Sequence, residues 1–261
     1  MSGEGVREEL GDPLGAGALR AGGEDACPLG RCDGSGFLIE EATNTASDCG
    51  CRAGRIAGAR TRSLAGRIPR RYRGVSFDRP PVSDIARNAP DQIQLVRLYV
   101  RAIEENLGSG KGLWIQGDVG TGKTTLAMLV SRAALDAGRS VAIYSLPRLL
   151  NLLRESMDSD GGMLDFLDRL SAVDLLHIDD LGAEHRTDWV LEQLYSIVNA
   201  RYEAERAIVA TTNLMPDELS ERLGPRTVSR LVEICGNPIP LCGEDKRHEY
   251  RAMRSESRST A

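Results

Sequence analysis

A glycine-rich stretch of nine residues places the strongest constraint on how this chain can fold. It matches the phosphate-binding P-loop pattern G-x-x-x-x-G-K-T. Its residues are Gly117, Asp118, Val119, Gly120, Thr121, Gly122, Lys123, Thr124 and Thr125. Residues 112–116 are apolar enough for a buried strand, and residues 126–137 carry a helical apolar face that ends at Gly138. A P-loop requires a strand, a glycine loop and a helix in this order. The alternative interpretation, a glycine-rich turn beside an exposed lysine, would not need these flanking elements.

The residue types in this loop predict ATP binding. Glycines adopt conformations closed to other residues, so consecutive N–H groups can turn inward around phosphates. The first turn of the following helix adds partial positive charge. Lys123 would place its ammonium against the β- and γ-phosphates, and the hydroxyl of Thr124 can bind Mg²⁺.

A second acidic motif lies about fifty residues further along. A mainly apolar strand, L-L-H-I at residues 175–178, precedes Asp179 and Asp180, which is the Walker B pattern. Parallel strands deliver their carboxyl ends to one edge of a sheet, so these carboxylates should meet the P-loop. We expect Asp179 to hold the Mg²⁺ shell and Asp180 to orient or deprotonate the attacking water. The alternative is an Asp–Asp pair that only starts a turn.

The remaining periodic segments predict the fold class. Further strands are expected at residues 140–145, 173–178 and 207–211, and helices at residues 91–107, 149–157, 163–170, 188–203 and 217–234. Strands that alternate with helices indicate an α/β fold with a mainly parallel sheet and helices on both faces. Asn213 follows the strand at 207–211 and can hydrogen-bond the attacking water or the γ-phosphate, unless it is an ordinary turn asparagine.

Four cysteines near the N-terminus have the pattern of a metal site. Cys27 and Cys32 form one pair, and Cys49 and Cys51 form a second pair after sixteen intervening residues. Two pairs of thiolates can complete a tetrahedral zinc site, here with Cys₄ ligation because no histidine is near. The alternative is four reduced thiols in a flexible arm. Two further cysteines, at positions 235 and 242, are expected to be core or surface thiols.

Composition limits the other possibilities. The chain has a net charge of −5, and 41% of its residues are hydrophobic. Its apolar runs are shorter than a membrane span and its acidic start does not resemble a signal peptide, so a cytoplasmic location is expected. Residues 1–26 are expected to form a disordered leader and residues 52–90 a basic linker. Eight arginines lie at positions 52, 55, 60, 62, 67, 70, 71 and 73. They either contact phosphates or an acidic partner, or are merely solvated.

The order of motifs resembles one family in particular. The succession G-D-V-G-T-G-K-T-T, H-I-D-D-L-G-A-E-H-R-T-D-W, V-N-A-R-Y, A-T-T-N-L and S-R-L is similar to that of the DnaC-type helicase loaders. These loaders are a branch of the AAA+ ATPases, and the IstB-like transposition ATPases are close relatives. The I-P-R-R-Y segment at residues 68–72 also resembles the one that precedes the ATPase core in these families, and the similarity extends over residues 67–251.

This resemblance implies roles that spacing alone does not reveal. It implies an AAA+ domain over residues 91–252, followed by a tail at 253–261. Arg230 matches the arginine finger that reaches a neighbouring subunit's γ-phosphate, with Arg226 left as an alternative, and Arg251 matches the sensor 2 arginine. Action of a finger in trans implies a homo-oligomer that binds ATP at subunit junctions. The sequence departs from the broader AAA+ pattern at Asp180, where glutamate is usual, which leaves the rate of hydrolysis open.

Three hypotheses about function follow, two from the family resemblance and one from a different class. The first is an ATP-dependent loader of a hexameric replicative helicase, with residues 27–51 docking on the helicase and residues 146–172 gripping single-stranded DNA. That second segment offers Arg148, Arg154 and Arg169, but only Phe166 as an aromatic platform. The second hypothesis is an IstB-like regulator of a transposase. The third is a nucleotide-gated adaptor that binds ATP without meaningful turnover.

Overall fold

A computed structural model describes residues 27–40, 45–52, 68–157, 162–183 and 185–243. The chain divides into two compact units, Met1–Ile56 and Ala57–Ala261. The predictions for the leader at 1–26, for the arginines within residues 53–67, for Arg251 and for the tail at 253–261 lie outside the described residues.

The described part of the first unit is a short antiparallel hairpin. Strand β1 spans Phe37–Glu40 and strand β2 spans Thr45–Asp48, with Phe37 opposite Asp48. One cysteine pair precedes β1 and the other follows β2, so the hairpin brings the two pairs to the same end. The strands were not apparent in the sequence, because the exposed TASD sequence of β2 lacks an apolar face.

The second unit is built on a parallel sheet of five strands. They are β3 (Leu113–Gly117), β4 (Val141–Ser145), β5 (Leu175–Leu181), β6 (Ala207–Thr212) and β7 (Ile239–Leu241). Their spatial order is β4-β5-β6-β3-β7, and every neighbouring pair is parallel. The P-loop strand β3 therefore lies between β6 and β7, and β5 lies on the other side of β6.

Nine described helices accompany this sheet. They are α1 (Val82–Asn88), α2 (Pro90–Arg101), α3 (Ile103–Gly108), α4 (Lys123–Asp136), α5 (Leu146–Met157), α6 (Gly162–Ala172), α7 (Asp188–Glu203), α8 (Pro216–Leu223) and α9 (Pro225–Cys235). A 3₁₀ turn at Arg70–Tyr72 precedes them. Among the helices that the structure describes, none is both long and apolar enough to cross a bilayer.

Successive side chains along the strands point to opposite faces of the sheet and so divide the core into two layers. Ile115 and Val209 belong to an apolar cluster with residues of α1–α4, whereas their neighbours Trp114 and Ala210 belong to a second cluster with residues of α5–α9. Successive strand residues point to opposite faces of a sheet, so the helices cover both faces. This confirms the predicted α/β sheet with helices on both sides.

The structure differs from the sequence prediction between residues 68 and 107. The helix expected at 91–107 is two helices that meet at Ala102, where the side chain of Asn106 donates to the carbonyl oxygen of Tyr99 at 3.1 Å and takes the place of a helical N–H. Within the stretch assigned to the basic linker, helix α1 buries Val82 and Ile85 in the same cluster as the sheet. The packed core thus begins before residue 91.

Candidate functional site

The P-loop connects β3 to α4 and has the backbone conformation that its glycines permit. Gly122 has a φ of +101°, in the left-handed region, and caps the first turn of α4. Gly117 lies so close to β7 that a Cβ there would be 2.0 Å from the carbonyl oxygen of Leu241. A larger residue at either position would therefore disturb the loop or its neighbouring strand.

Lys123 is the first residue of α4 and its side chain is buried, although it carries an ammonium. Its Nζ donates hydrogen bonds to the carbonyl oxygens of Gly117 and Asp118, at 2.8 and 2.7 Å. The loop's own backbone thus holds the cation inside the P-loop, which is where a phosphate group would need it.

The acidic residue at the end of β5 meets the P-loop directly. The hydroxyl of Thr124 donates to Oδ1 of Asp179 at 3.0 Å, and the hydroxyl of Thr211 donates to the same oxygen at 2.7 Å. Three elements, α4, β5 and β6, therefore converge on one carboxylate oxygen. Oxygen ligands of this kind, a hydroxyl and a carboxylate, suit Mg²⁺, so Thr124 and Asp179 fit the predicted magnesium site.

Asp180 and Asn213 both have exposed side chains at this edge of the sheet. Asp180 has a φ of +58°, in the left-handed region that aspartate tolerates better than most residues. Asn213 directly follows Thr212, which is paired with Gln116 of the P-loop strand. Asp180 thus lies near the carboxyl end of β5, and Asn213 follows the carboxyl end of β6, the strand between β5 and β3.

Arg230 and Arg226 lie together in a cleft on α9. The cleft has a volume of about 560 Å³ and is lined by Tyr195, Pro225, Arg226, Ser229, Arg230 and Glu233. The Arg230 guanidinium lies 3.9 Å from the centre of the Tyr202 ring and donates to Glu233 at 3.2 Å. Both arginines that the sequence offered as the finger therefore line the same cleft.

Two buried polar residues that the sequence did not single out hold the sheet together, one between β5 and α4 and one before the amino ends of β5 and β6. His177 on β5 lies 2.8 Å from the hydroxyl of Ser131 on α4, and burial lowers its pKa to about 4, so the imidazole is neutral. Arg201 on α7 is fully buried and donates to four backbone carbonyl oxygens. The acceptors are those of Leu170, Val173, Asp174 and Ala207. Burial lowers the pKa of Arg201 to about 9, which still leaves it charged at neutral pH.

The four N-terminal cysteines form a cluster within the first unit. All four sulfur atoms lie within 4.8 Å of one another, with Cys27 and Cys49 3.8 Å apart and Cys32 and Cys51 3.5 Å apart. A tetrahedral zinc with bonds of about 2.3 Å would separate its sulfurs by about 3.8 Å. The four thiols therefore fit a zinc ion, and each cysteine of the predicted site takes part.

The segment expected to grip DNA, residues 146–172, carries the predicted arginines, but its one aromatic residue is not available as a stacking platform. Phe166 is 6% exposed and packs in the core, with Arg169 over its ring, so it cannot stack on a base. The guanidinium of Arg154 lies 4.6 Å from the centre of the Trp189 ring, and the side chain of Arg148 is exposed. Arg148 and Arg154 are both exposed, but only Arg154 of these two lies over an aromatic ring of this chain among the described contacts.

Comparison with known proteins gives related results at three levels. A family model described as IstB-like ATP binding protein matches residues 105–232. The chain is 27% identical over 188 residues to the replicative helicase loader DnaI of Bacillus subtilis. This match covers 67% of the chain and 59% of DnaI. It is 29% identical over 136 residues to the replicative helicase loader DnaC of Escherichia coli K12. That match covers 52% of the chain and 54% of DnaC. The chain thus spans less than two thirds of either relative.

Solved structures agree with these sequence relationships. A crystal structure of the DnaC helicase loader matches with a TM-score of 0.56 and 27% identity, over 67% of this chain and all of the solved one. The AMPPCP-bound structure of DnaA from Aquifex aeolicus matches with the same TM-score at 23% identity, over 74% of this chain and 56% of that one, which shows a shared fold. The core of this chain therefore has the AAA+ fold of the DnaC helicase loader structure, and residues 105–232 are similar to the IstB-like ATP-binding proteins.

Proposed function

We propose that this chain is an ATP-dependent loader that helps to place a hexameric replicative helicase on single-stranded DNA. The observation that carries the ATPase part is the convergence of Thr124 and Asp179 beside a P-loop that holds Lys123. The loader part is supported by the relatives, two of which are named replicative helicase loaders. A cytoplasmic location stays a prediction.

The chemistry assigned to the site follows from its side chains. The N–H groups of the P-loop and the ammonium of Lys123 would bind the β- and γ-phosphates. Mg²⁺ bound at Thr124 and Asp179 would neutralise charge on the phosphate oxygens. Asp180 would accept a proton from the attacking water or orient it, and Asn213 would hold that water or the γ-phosphate.

Completion of the site requires a second copy of the chain. Arg230 would enter the neighbour's site and stabilise the charge that develops on the transferred phosphoryl group. This role of Arg230 is supported by its match to the S-R-L motif of the family and by its position in a surface cleft on α9. ATP binding would thus favour a homo-oligomer, and hydrolysis would release it. The proposed contribution of Arg251 follows from the family resemblance alone.

The two other proposed contacts are with the helicase and with DNA. The cysteine cluster would hold zinc and fold the N-terminal unit, since so small a unit has little core of its own. That unit would dock on the helicase. Residues 146–172 would contact the DNA backbone, mainly through Arg148. The basic stretch before residue 74 is a second candidate for phosphate contact.

The direct test is a loading assay with the host's replicative helicase. Helicase, circular single-stranded DNA and this chain are mixed with ATP, and unwinding of an annealed strand reports loading. We expect loading with ATP and none when Lys123→Ala replaces the wild-type chain. In a separate pull-down with ATP present, this chain is tested for capture of the helicase and, as the comparison, of the host's transposase. Capture of the transposase without capture of the helicase would favour the IstB-like alternative, which the family model over residues 105–232 supports.

Hydrolysis separates the loader from the nucleotide-gated adaptor. Asp180→Ala removes the exposed carboxylate of the Walker B pair and keeps Asp179 and Thr124 in place. We expect unchanged ATP binding and a loss of turnover, measured with and without single-stranded DNA. Wild-type turnover as low as that of Asp180→Ala under both conditions would favour the adaptor.

A further inference from the structure

A β-bulge lies where the two acidic residues leave the sheet. On strands β5 and β6, Ile178 pairs with Ala210 and Leu181 pairs with Thr212. Three steps along β5 thus correspond to two along β6, so Asp179 and Asp180 together face one residue, Thr211. A bulge of this kind redirects a side chain and is frequent beside active sites.

The side chain of Thr211 bonds to both acidic residues. It is fully buried, and its hydroxyl donates to Oδ1 of Asp179 at 2.7 Å while it accepts from the backbone N–H of Asp180 at 2.9 Å. The first bond orients a carboxylate, and the second supports a residue whose φ of +58° lies in the left-handed region. A hydroxyl has one donor and can accept at the same time, so one side chain satisfies both.

We propose that Thr211 is a positioning residue that sets the geometry of the Asp179–Asp180 pair and thereby the affinity of the site for Mg²⁺. This inference rests on the proposed nucleotide site. Thr124 and Thr211 both donate to Oδ1 of Asp179, so the carboxylate is held from the P-loop side and from the β6 side. Partners that orient a metal ligand in this way commonly change metal affinity by about 10- to 100-fold when they are removed.

The next residue along β6 provides a matched control. Thr212 is also fully buried, but its hydroxyl donates to the carbonyl oxygen of Leu181 at 2.7 Å and accepts from the N–H of Leu214 at 3.1 Å. Its hydrogen bonds thus support the turn after the strand instead of a carboxylate. Valine at either position removes one hydroxyl and keeps the branched shape.

The test measures binding of a fluorescent ATP analogue in EDTA and then across a Mg²⁺ titration. For Thr211→Val we expect the affinity for the analogue in EDTA to be unchanged. Mg²⁺ increases this affinity, and the Mg²⁺ concentration at the midpoint of that increase should rise by about tenfold or more. Thr211→Ser, which keeps the hydroxyl, should restore the wild-type Mg²⁺ requirement. Thr212→Val should leave this requirement within about twofold of wild type. Thermal unfolding of each variant identifies effects on folding, and Thr211→Ala is a second hydroxyl-free variant if the valine is not accommodated.

The outcomes distinguish this inference from the proposed function. Equal Mg²⁺ requirements in wild type and in a folded Thr211→Val or Thr211→Ala chain would overturn the role of Thr211 alone. An equal rise in Thr211→Val and Thr212→Val would also overturn it, because the effect would then come from the strand in general. A wild-type chain that bound no nucleotide would contradict the proposed function itself.

Discussion

The hydroxyl of Thr124 donates a hydrogen bond of 3.0 Å to Oδ1 of Asp179, fifty-five residues further along the chain. This contact joins the P-loop to the Walker B strand, although β6 lies between their strands in the sheet. Parallel strands bring their carboxyl ends to one edge, where a βα loop can reach past its own strand. The two motifs thus form a single site.

Replacement of Arg230 should affect turnover far more than binding. Arg230→Ala is expected to keep ATP affinity within about twofold and to lower turnover at saturating protein by at least about tenfold, because the finger acts on charge that develops during the reaction. ATP hydrolysis measured against protein concentration checks this. Arg226→Ala, from the same cleft, is the matched control.

Mixing experiments reveal whether the finger acts in trans. A Lys123→Ala chain has no functional P-loop but keeps Arg230, so it should restore turnover to Arg230→Ala chains when the two are combined. Loss of turnover in Arg226→Ala, with none in Arg230→Ala, would transfer the role to Arg226. Two inactive variants that stay inactive when mixed would contradict action in trans.

Metal analysis tests the cysteine cluster. The purified chain should contain about one zinc per chain, because four sulfurs already lie at distances that suit tetrahedral coordination. Cys49→Ser together with Cys51→Ser should remove the metal. Cys242→Ser, at an exposed cysteine outside the cluster, should not. A metal-free wild-type chain, prepared without chelator, would exclude the zinc site.

Arg148 should contribute to the binding of single-stranded DNA through its charge. Arg148→Glu is expected to weaken binding by several-fold at moderate salt and to reduce the salt dependence of the affinity, since fewer counterions are released. Fluorescence anisotropy with a labelled oligonucleotide measures both. Arg169→Glu is the comparison, because this arginine already pairs with Asp165 at 3.3 Å and covers Phe166. Equal affinities for wild type and Arg148→Glu would exclude this contact.

Arg201 is predicted to be a stability determinant. Arg201→Met leaves the carbonyl oxygens of Leu170, Val173 and Ala207 buried without their donor, so the free energy of unfolding should fall by about 3 kcal/mol or more. Urea denaturation measures this loss. Arg139→Ala removes a half-exposed ion pair of 3.9 Å and should cost less than about 1 kcal/mol. Similar losses in the two variants would contradict the role of Arg201.

The sequence was most informative where function depends on contiguous residues. The P-loop and the Asp179–Asp180 pair are local patterns, and the strands and helices beside them have clear periodicity, so the fold class and this edge of the sheet could be predicted. The family resemblance is likewise confirmed by the comparisons. The roles of Asn213 and Arg230 stay predictions.

The features that the sequence did not reveal depend on tertiary pairing. Thr211 matters because a bulge sets it opposite two residues of another strand, and no periodicity records that register. Arg201 looks like a surface arginine until its acceptors on other elements are known. Phe166 was expected on a DNA-binding surface, but the helix face that carries it packs inward. Strand β7 has three residues and is too short for a periodic signal.

The most direct test of the account is ATP binding by Lys123→Ala, measured calorimetrically with Mg²⁺ present and with Lys111→Ala as the control. Lys123 lies inside the P-loop, whereas Lys111 is an exposed lysine before β3. We predict that wild type and Lys111→Ala bind ATP alike and that Lys123→Ala shows no measurable binding. Equal affinity in a folded Lys123→Ala chain would contradict the assignment of this loop as the nucleotide site.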